Sequence, residues 1–451
     1  MRKREGELRY SELVAYGLGG VFINLGIICD QFSMYFLTNI ALIPAAVVGT
    51  IMLLTTIFDA INDPIIGNMA DQCNTRIGKY RPYIIAGGVG MCITMVLRFT
   101  VPPFNLAGKV VYYAIVFALF SVAFTACCVP WQASMSILSQ DYHDRNLLLT
   151  VRSLSGAVMN ALIGAILMQS VDKLGGGAVG WQRFVLCAWV IGLPCVYLCQ
   201  RGMRRVDYQG SLATPQKRPF LKQWSRVLKN KPVVCICCAI GLCSLAQSIA
   251  GNGAMYYYQY VLHDTGVLAR TSVYSFPIAV GSAMLLPFVL KRIDKRYLMV
   301  IAFAISMVRP VALIMFGARL SVSAATWLVV ISRVGTVLFN NAIYAWVPEG
   351  VDFTRLRDGV GSIGLISASV TFMQKIGRAG GQWLAGLFLG IVGFDATKVV
   401  TQRISQEILN INGLYQAIGL TIALIPILLF PISKAKGDEI RQQLEMQDNS
   451  K

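Results

Sequence analysis

The sequence predicts an all-α integral membrane protein of twelve transmembrane helices in two six-helix bundles, with both termini in the cytoplasm. Composition, the spacing of apolar runs and the distribution of positive charge each point there. Of the 451 residues, 55% are hydrophobic and only 14% charged, against about 25% charged in an ordinary soluble domain, which excludes a water-soluble globule. Apolar runs of about 20 residues, long enough to cross a bilayer, recur six times before residue 201 and six times after residue 231. The 40 Lys and Arg outnumber the 22 Asp and Glu and leave a formal charge of +18. They do not gather into the single basic face that nucleic-acid binding requires, so no nucleic-acid partner is expected. They sit instead in short loops, chiefly at the N-terminus, after even-numbered spans and in the tail, and that asymmetry orients the chain.

In chain order the first six spans fall at about 13–38, 44–70, 83–102, 108–135, 147–170 and 182–200, forming an N-terminal bundle over 1–200. The second six fall at about 232–262, 271–290, 297–317, 321–347, 361–393 and 411–433, forming a C-terminal bundle over 232–433. A basic cytoplasmic loop, 201–231, joins them, and 434–451 is a cytoplasmic tail. Two six-span halves offset by about 219 residues suggest parallel repeats around a midplane site. Almost all of the 12 cysteines lie in apolar runs, where they read as small hydrophobic residues rather than disulfide partners. Cys73 lies in a loop. The two histidines, His143 and His263, fall in predicted loops, so His-based metal or nucleophilic chemistry is not expected within the apolar body. Met1 to Arg9 is polar and the first apolar run is long, which predicts a retained anchor rather than a cleaved signal.

The strongest local signal is Phe58-Asp59-Ala-Ile-Asn62-Asp63-Pro64 in span two. Asp59 and Asp63 are spaced i, i+4 and project from one face, with Asn62 beside them and Thr55 and Thr56 one turn earlier. An ionised carboxylate at bilayer depth costs several kcal/mol, so a pair requires a cation, a proton or a wet cavity. Oxygen ligands of this kind suit Na+ or a proton. Directly after comes Gly67-Asn-Met-Ala-Asp71-Gln-Cys-Asn-Thr-Arg76-Ile-Gly78-Lys79-Tyr-Arg81-Pro82, leading into span three.

The run from Asp59 to Pro82 resembles that of the glycoside-pentoside-hexuronide:cation symporters, a branch of the major facilitator superfamily that includes the melibiose permease. Further anchors are the Tyr-rich Met255-Tyr-Tyr-Tyr-Gln-Tyr260 ending span seven, Glu349-Gly-Val-Asp352-Phe353, and Phe372-Met-Gln-Lys375-Ile-Gly377 in span eleven. The resemblance implies the major facilitator fold, with Asp59, Asn62, Asp63 and Thr125 as ligands of the coupling cation. It implies a sugar-site arginine in Arg152 and a lysine near the cation site in Lys375. Gly67, Asp71, Arg76, Lys79 and Arg81 match the cytoplasmic gate. Na+ or H+ is the expected coupling ion, with no other cofactor and no catalytic residue.

The departures bear on the solute. Where the melibiose permease has a span-four aspartate this chain has Cys128, followed by Trp131 and Gln132; where it has a span-one aspartate the approximate match is Asn24, with Asp30 six residues on. A carboxylate can accept two hydrogen bonds from a sugar, so the loss of both argues against a neutral melibiose-like galactoside. The spans also hold Arg98, Arg152, Arg309, Arg333, Lys375 and Arg378 against Asp30, Asp59 and Asp63. That excess of cations suggests an acidic sugar, for example a hexuronide, gripped by Arg or Lys from both halves, with Arg152, Arg333 and Lys375 as candidates beside Asn24, Asp30, Cys128, Trp131 and Gln132. Trp131, Tyr256, Tyr257, Tyr258 and Trp346 offer faces for a sugar ring, and Gly377, Gly380 and Gly381 form the expected close-packing cluster. Two other readings compete: a carrier of lysophospholipids or other amphiphiles from the same superfamily, and an integral-membrane transferase, for which no acid-base constellation is present. The expected setting is a bacterial cytoplasmic membrane, with the protein functional as a monomer.

Overall fold

The computed structural model describes residues 8–73, 75–139, 142–207, 230–292, 294–344, 346–358 and 363–431, together with Glu439, Gln443 and Met446. Most of the basic loop expected at 201–231 and of the tail at 434–451 lies outside the described residues. The rest is helical: Thr75 and Gly78 form the isolated β-bridge in it.

The chain divides into two compact units. The first comprises Met1–Gln216 with Leu268–Phe276 and Gly393–Val400. Its helices are α1 (Tyr10–Gln31), α2 (Ser33–Asn39), α3 (Ala45–Gln72), α4 (Arg81–Arg98), α5 (Leu106–Leu138), α6 (Tyr142–Lys173) and α7 (Gly177–Gly202). Local chemistry sets their ends. The Asn105 side chain caps α5 by accepting the Gly108 N–H at 2.9 Å, and Arg81-Pro82 starts α4 with a proline where its missing N–H costs nothing. Within the unit α1 packs on α6 and α7, α3 on α5, and α4 on α5 and α7. Phe36, Phe99 and Trp181 lock one end, Phe99 stacking on Trp181 with centroids 5.4 Å apart.

The second unit comprises Lys217–Val267, Pro277–Val392 and Thr401–Lys451. Its helices are α8 (Lys231–Tyr260), α9 (Gly266–Arg292, shared with the first unit), α10 (Lys295–Phe316), α11 (Val322–Tyr344), α12 (Val347–Asp358), α13 (Ile363–Ile391), α14 (Gln402–Asn412) and α15 (Leu414–Leu428). α8 is the central element: α13, α14 and α15 all pack against it, while α10 pairs with α11. Two of the three glycines expected to pack closely make that α8–α13 crossing. A Cβ on Gly377 would strike the Gly241 carbonyl, and one on Gly381 would lie 2.5 Å from the Leu245 oxygen. Gly380, on the adjoining face, would meet only Leu245 Cδ1 at 3.5 Å, an ordinary contact.

Two elements differ from the sequence reading. The last span starts earlier than 411, because Thr401 caps α14 through Ile404 N–H; Arg403, Gln406 and Glu407 make that helix too polar to register as an apolar run. α12 is a separate helix between two spans, tied back by an ion pair from Glu349 to Lys295. All 12 cysteines are free thiols. Among the described residues nine helices, counting α1 with α2 and α14 with α15, are long and apolar enough to cross a membrane.

Gly381→Val should lower the thermal midpoint of the purified protein, by about 1–3 kcal/mol of overpacking, whereas Gly380→Ala should leave it within a degree or so of the parent. Scanning fluorimetry in detergent distinguishes the two; equal behaviour would disprove the crossing described for α8 and α13.

Candidate functional site

α3 presents Asp59 and Asp63 to a matching pair on α5. Ser121 and Thr125 are also spaced i, i+4, and both are buried. Ser121 Oγ donates to Asp59 Oδ1 at 2.6 Å, while Thr125 Oγ1 stands 2.8 Å from Asp63 Oδ1 and 3.2 Å from Asp59 Oδ1. Thr125 therefore sits between the two carboxylates. A threonine hydroxyl carries one hydrogen, so it can satisfy only one of them at a time. Asn62 is buried on the same helix, and its Nδ2 has no hydrogen-bond partner. Thr55 and Thr56 contribute nothing to this cluster, because their hydroxyls bond back to the Ile51 and Met52 carbonyls of their own helix. Ser121 was missed in the sequence reading, although its position one turn before Thr125 is a usable signal.

The residues expected to hold the solute separate into several places. In the first unit, Trp131 is 2% exposed, stacks on Tyr16 at 4.7 Å and 16°, and donates its indole N–H to the Tyr16 carbonyl at 3.1 Å. The Arg152 guanidinium lies 5.6 Å from the same indole. Gln132 donates to Cys128 Sγ at 2.9 Å. Asn24 bonds its Gly20 carbonyl at 2.8 Å and lies against Gly156 of α6. Asp30 stands apart from these, in an ion pair with buried Arg98 at 2.6 Å. Arg98 is itself held over the Phe117 ring at 3.5 Å, so this pair accounts for one cation and one acid of the span charge count. In the second unit Arg333 is exposed on α11 and Lys375 half-buried on α13. Tyr256, Tyr257 and Tyr258 are buried, and Trp346 stacks on Phe430 at 4.0 Å.

The turn between α3 and α4 is built around a carboxylate that the motif does not contain. Asp207, 1% exposed and just beyond α7, accepts the backbone N–H groups of Lys79, Tyr80 and Arg81 at 2.8, 2.9 and 2.8 Å. These are the unpaired donors at the start of α4, where a helix also favours negative charge. Gly78 has φ +126°, and a Cβ there would lie 2.5 Å from the Asp207 oxygen; only glycine serves. Arg81 turns its guanidinium to Gln200 (Nη2 to Oε1, 2.7 Å) and to the Ile77 carbonyl (2.7 Å). Partial burial, with the Asp207 carboxylate as a smaller contribution, raises the Cys73 thiol above its usual range. Lys79 is buried, Arg76 is exposed, and a Cβ on Gly67 would lie 3.6 Å from Val129 Cγ1, an ordinary contact. The side chain of Asp71 lies outside the described residues. No sequence signal marks Asp207, a lone acid beside a basic loop.

Two helical units of long apolar helices, with two half-buried carboxylates midway along α3, are those of a multi-pass membrane protein, and the family match makes it a transporter and not an enzyme. The chain matches the MFS/sugar transport protein family over residues 15–434 and belongs to it. It is 25% identical over 450 residues to the isoprimeverose transporter of Lactiplantibacillus pentosus, covering 98% of this chain and 93% of that one. It is also 25% identical over 447 residues to the glucuronide carrier protein homolog of Escherichia coli, covering 97% and 96%. Among solved structures it resembles the xylose transporter XylE of E. coli, with a TM-score of 0.60 and 14% identity over 94% of this chain and 98% of that one. A bacterial homolog of the human lysosomal transporter Spinster gives a TM-score of 0.65 at 12% identity, over 93% and 94%. The glycoside/cation symporter resemblance of the sequence is thus borne out at the level of family.

Replacing Asp207 by Ala should strip three donors of a charged acceptor and lower stability by about 2 kcal/mol or more, read as a fall in thermal midpoint. A midpoint unchanged in Asp207→Ala would contradict the anchoring role.

Proposed function

We propose that this protein is a cation-coupled symporter for a sugar or glycoside, working by alternating access across a bacterial cytoplasmic membrane. In this reading α4, α9 and α13 join the nine helices of sufficient length and apolarity to make twelve spans, with both termini cytoplasmic and the monomer as the working unit. Na+ or H+ binds at Asp59, Asn62, Asp63 and Thr125. The observation that carries it is a pair of carboxylates one helical turn apart that share the Thr125 hydroxyl, with the Asn62 amide, whose Nδ2 has no hydrogen-bond partner, on the same helix. Binding the cation neutralises the carboxylates, and a neutral pair crosses the low-dielectric midplane at far lower cost than an ionised one. One inward charge at 100 mV supplies about 2.3 kcal/mol, roughly forty-fold accumulation of a neutral solute; a singly charged acidic solute cancels that electrical gain and needs a second cation or the chemical gradient of the cation.

The solute we favour is an acidic sugar such as a hexuronide. Its support is the surplus of Arg and Lys in the spans, which remains after Arg98 is paired with Asp30, and the similarity to a relative named as a glucuronide carrier homolog. Arg152 beside Trp131 is the first-unit candidate for contact with it.

In proteoliposomes, Asp59→Asn and Asp63→Asn should each abolish uphill accumulation under an imposed Na+ or H+ gradient. Accumulation persisting in both would overturn the cation assignment. Thr125→Val should weaken the activating cation about tenfold, the effect of one hydrogen bond to a charged group, measured as the cation concentration giving half-maximal uptake. Running the two gradients separately identifies the ion.

A further inference from the structure

The second unit contains a buried guanidinium that the symport mechanism leaves unused. Arg309 projects from α10 with 8% exposure, and its Nη2 donates to Asn412 Oδ1 at 2.6 Å. The orientation of that amide is fixed: Asn412 Nδ2 donates to the carbonyls of Gly253 at 3.0 Å and Ile408 at 2.9 Å, so its oxygen must face the arginine. Asn412 is neutral, however, and leaves the charge uncompensated. Among the described residues no carboxylate pairs with Arg309, and its Nε has no hydrogen-bond partner. Arg333 of α11, the helix paired with α10, is a further cation of this unit.

A second donor without an acceptor lies on α8, the helix whose Gly253 carbonyl holds Asn412. Tyr257, 1% exposed, has an unpartnered hydroxyl. It lies one turn beyond Gly253 on α8 and so shares the face that meets Asn412. Gln416, one turn beyond Asn412 and also buried, presents an amide oxygen lacking a donor. A half-turn of that amide exchanges its oxygen for NH2. An unpaired Arg Nε–H and an unpaired Tyr hydroxyl are both donors, held out of water, beside uncompensated positive charge. Their shared unmet requirement is an anion.

We propose that Arg309 and Tyr257 form a binding site for one singly charged anionic group, a carboxylate or a halide ion, inside the second unit. Arg309 supplies the charge and a directed N–H, Tyr257 a second hydrogen bond, and Asn412 positions the guanidinium. The negative group is either carried in on the solute, in which case the site rests on the symport reading, or is a free ion, in which case it does not.

The test uses the full-length protein in detergent, in chloride-free buffer, with the thermal midpoint followed as potassium glucuronate, potassium chloride or glucose is added. The parent protein should show a saturable rise with at least one anion. Arg309→Gln should weaken that anion at least tenfold, consistent with loss of a charged hydrogen bond, and Tyr257→Phe, which keeps the ring and its packing, three- to tenfold. A response to glucuronate without chloride assigns the site to the carboxylate of the solute; responses to both assign it to the negative charge itself. The proposal is overturned if neither anion shifts the parent, if glucose matches glucuronate, or if Tyr257→Phe binds as the parent does. Loss of anion binding with gradient-driven uptake intact, or the reverse, separates this proposal from the symport reading.

Discussion

The first unit has to keep two half-buried carboxylates, Asp59 and Asp63, among apolar helices. Water solvates such groups freely; a bundle does not, and the cost must be met by hydrogen bonds or by positive charge. α5 supplies Ser121 and Thr125 at the matching helical interval. Those two hydroxyls help hold the pair in place. Asp30 of the same unit is met differently, by an ion pair with Arg98.

The surrounding architecture is arranged by two different devices. In the first unit the turn after the carboxylate helix is anchored by Asp207, whose oxygens reach the exposed N–H groups at the start of α4. That bond set joins the end of α7 to the beginning of α4, with Arg81 and Gln200 adding a second tie between the same segments. In the second unit, close contact comes from absent side chains. Gly377 and Gly381 let α13 approach the backbone of α8, which suits a bilayer, where the hydrophobic effect does not drive helices together and van der Waals contact must.

Family membership fixes the broad activity, sugar transport. Relatives named for an isoprimeverose and a glucuronide share a quarter of their residues with this chain over nearly its whole length. Identity at that level is compatible with retained fold and altered solute. The cations of this chain are correspondingly unlike one another in surroundings: Arg98 is ion-paired, Arg309 is buried on a neutral amide, and Arg333 is exposed.

Much of this was legible before any coordinates. Membrane insertion follows from hydrophobicity and length, and both are local properties of the chain. The i, i+4 spacing of Asp59 and Asp63 is likewise a property of one helix, so the carboxylate cluster and its family motif could be read directly. What the linear chain could not disclose are partners distant along it. Ser121 reaching Asp59, Asp207 capping α4 across more than 120 residues, Asp30 joined to Arg98, and Arg309 resting on Asn412 all depend on which helix faces meet. Nor could it show that α14 precedes the last apolar run or that Gly380 stands aside from the crossing. Periodicity says which residues share a face; only packing says what that face touches, because the contact energy belongs to pairs of helices and to neither helix alone.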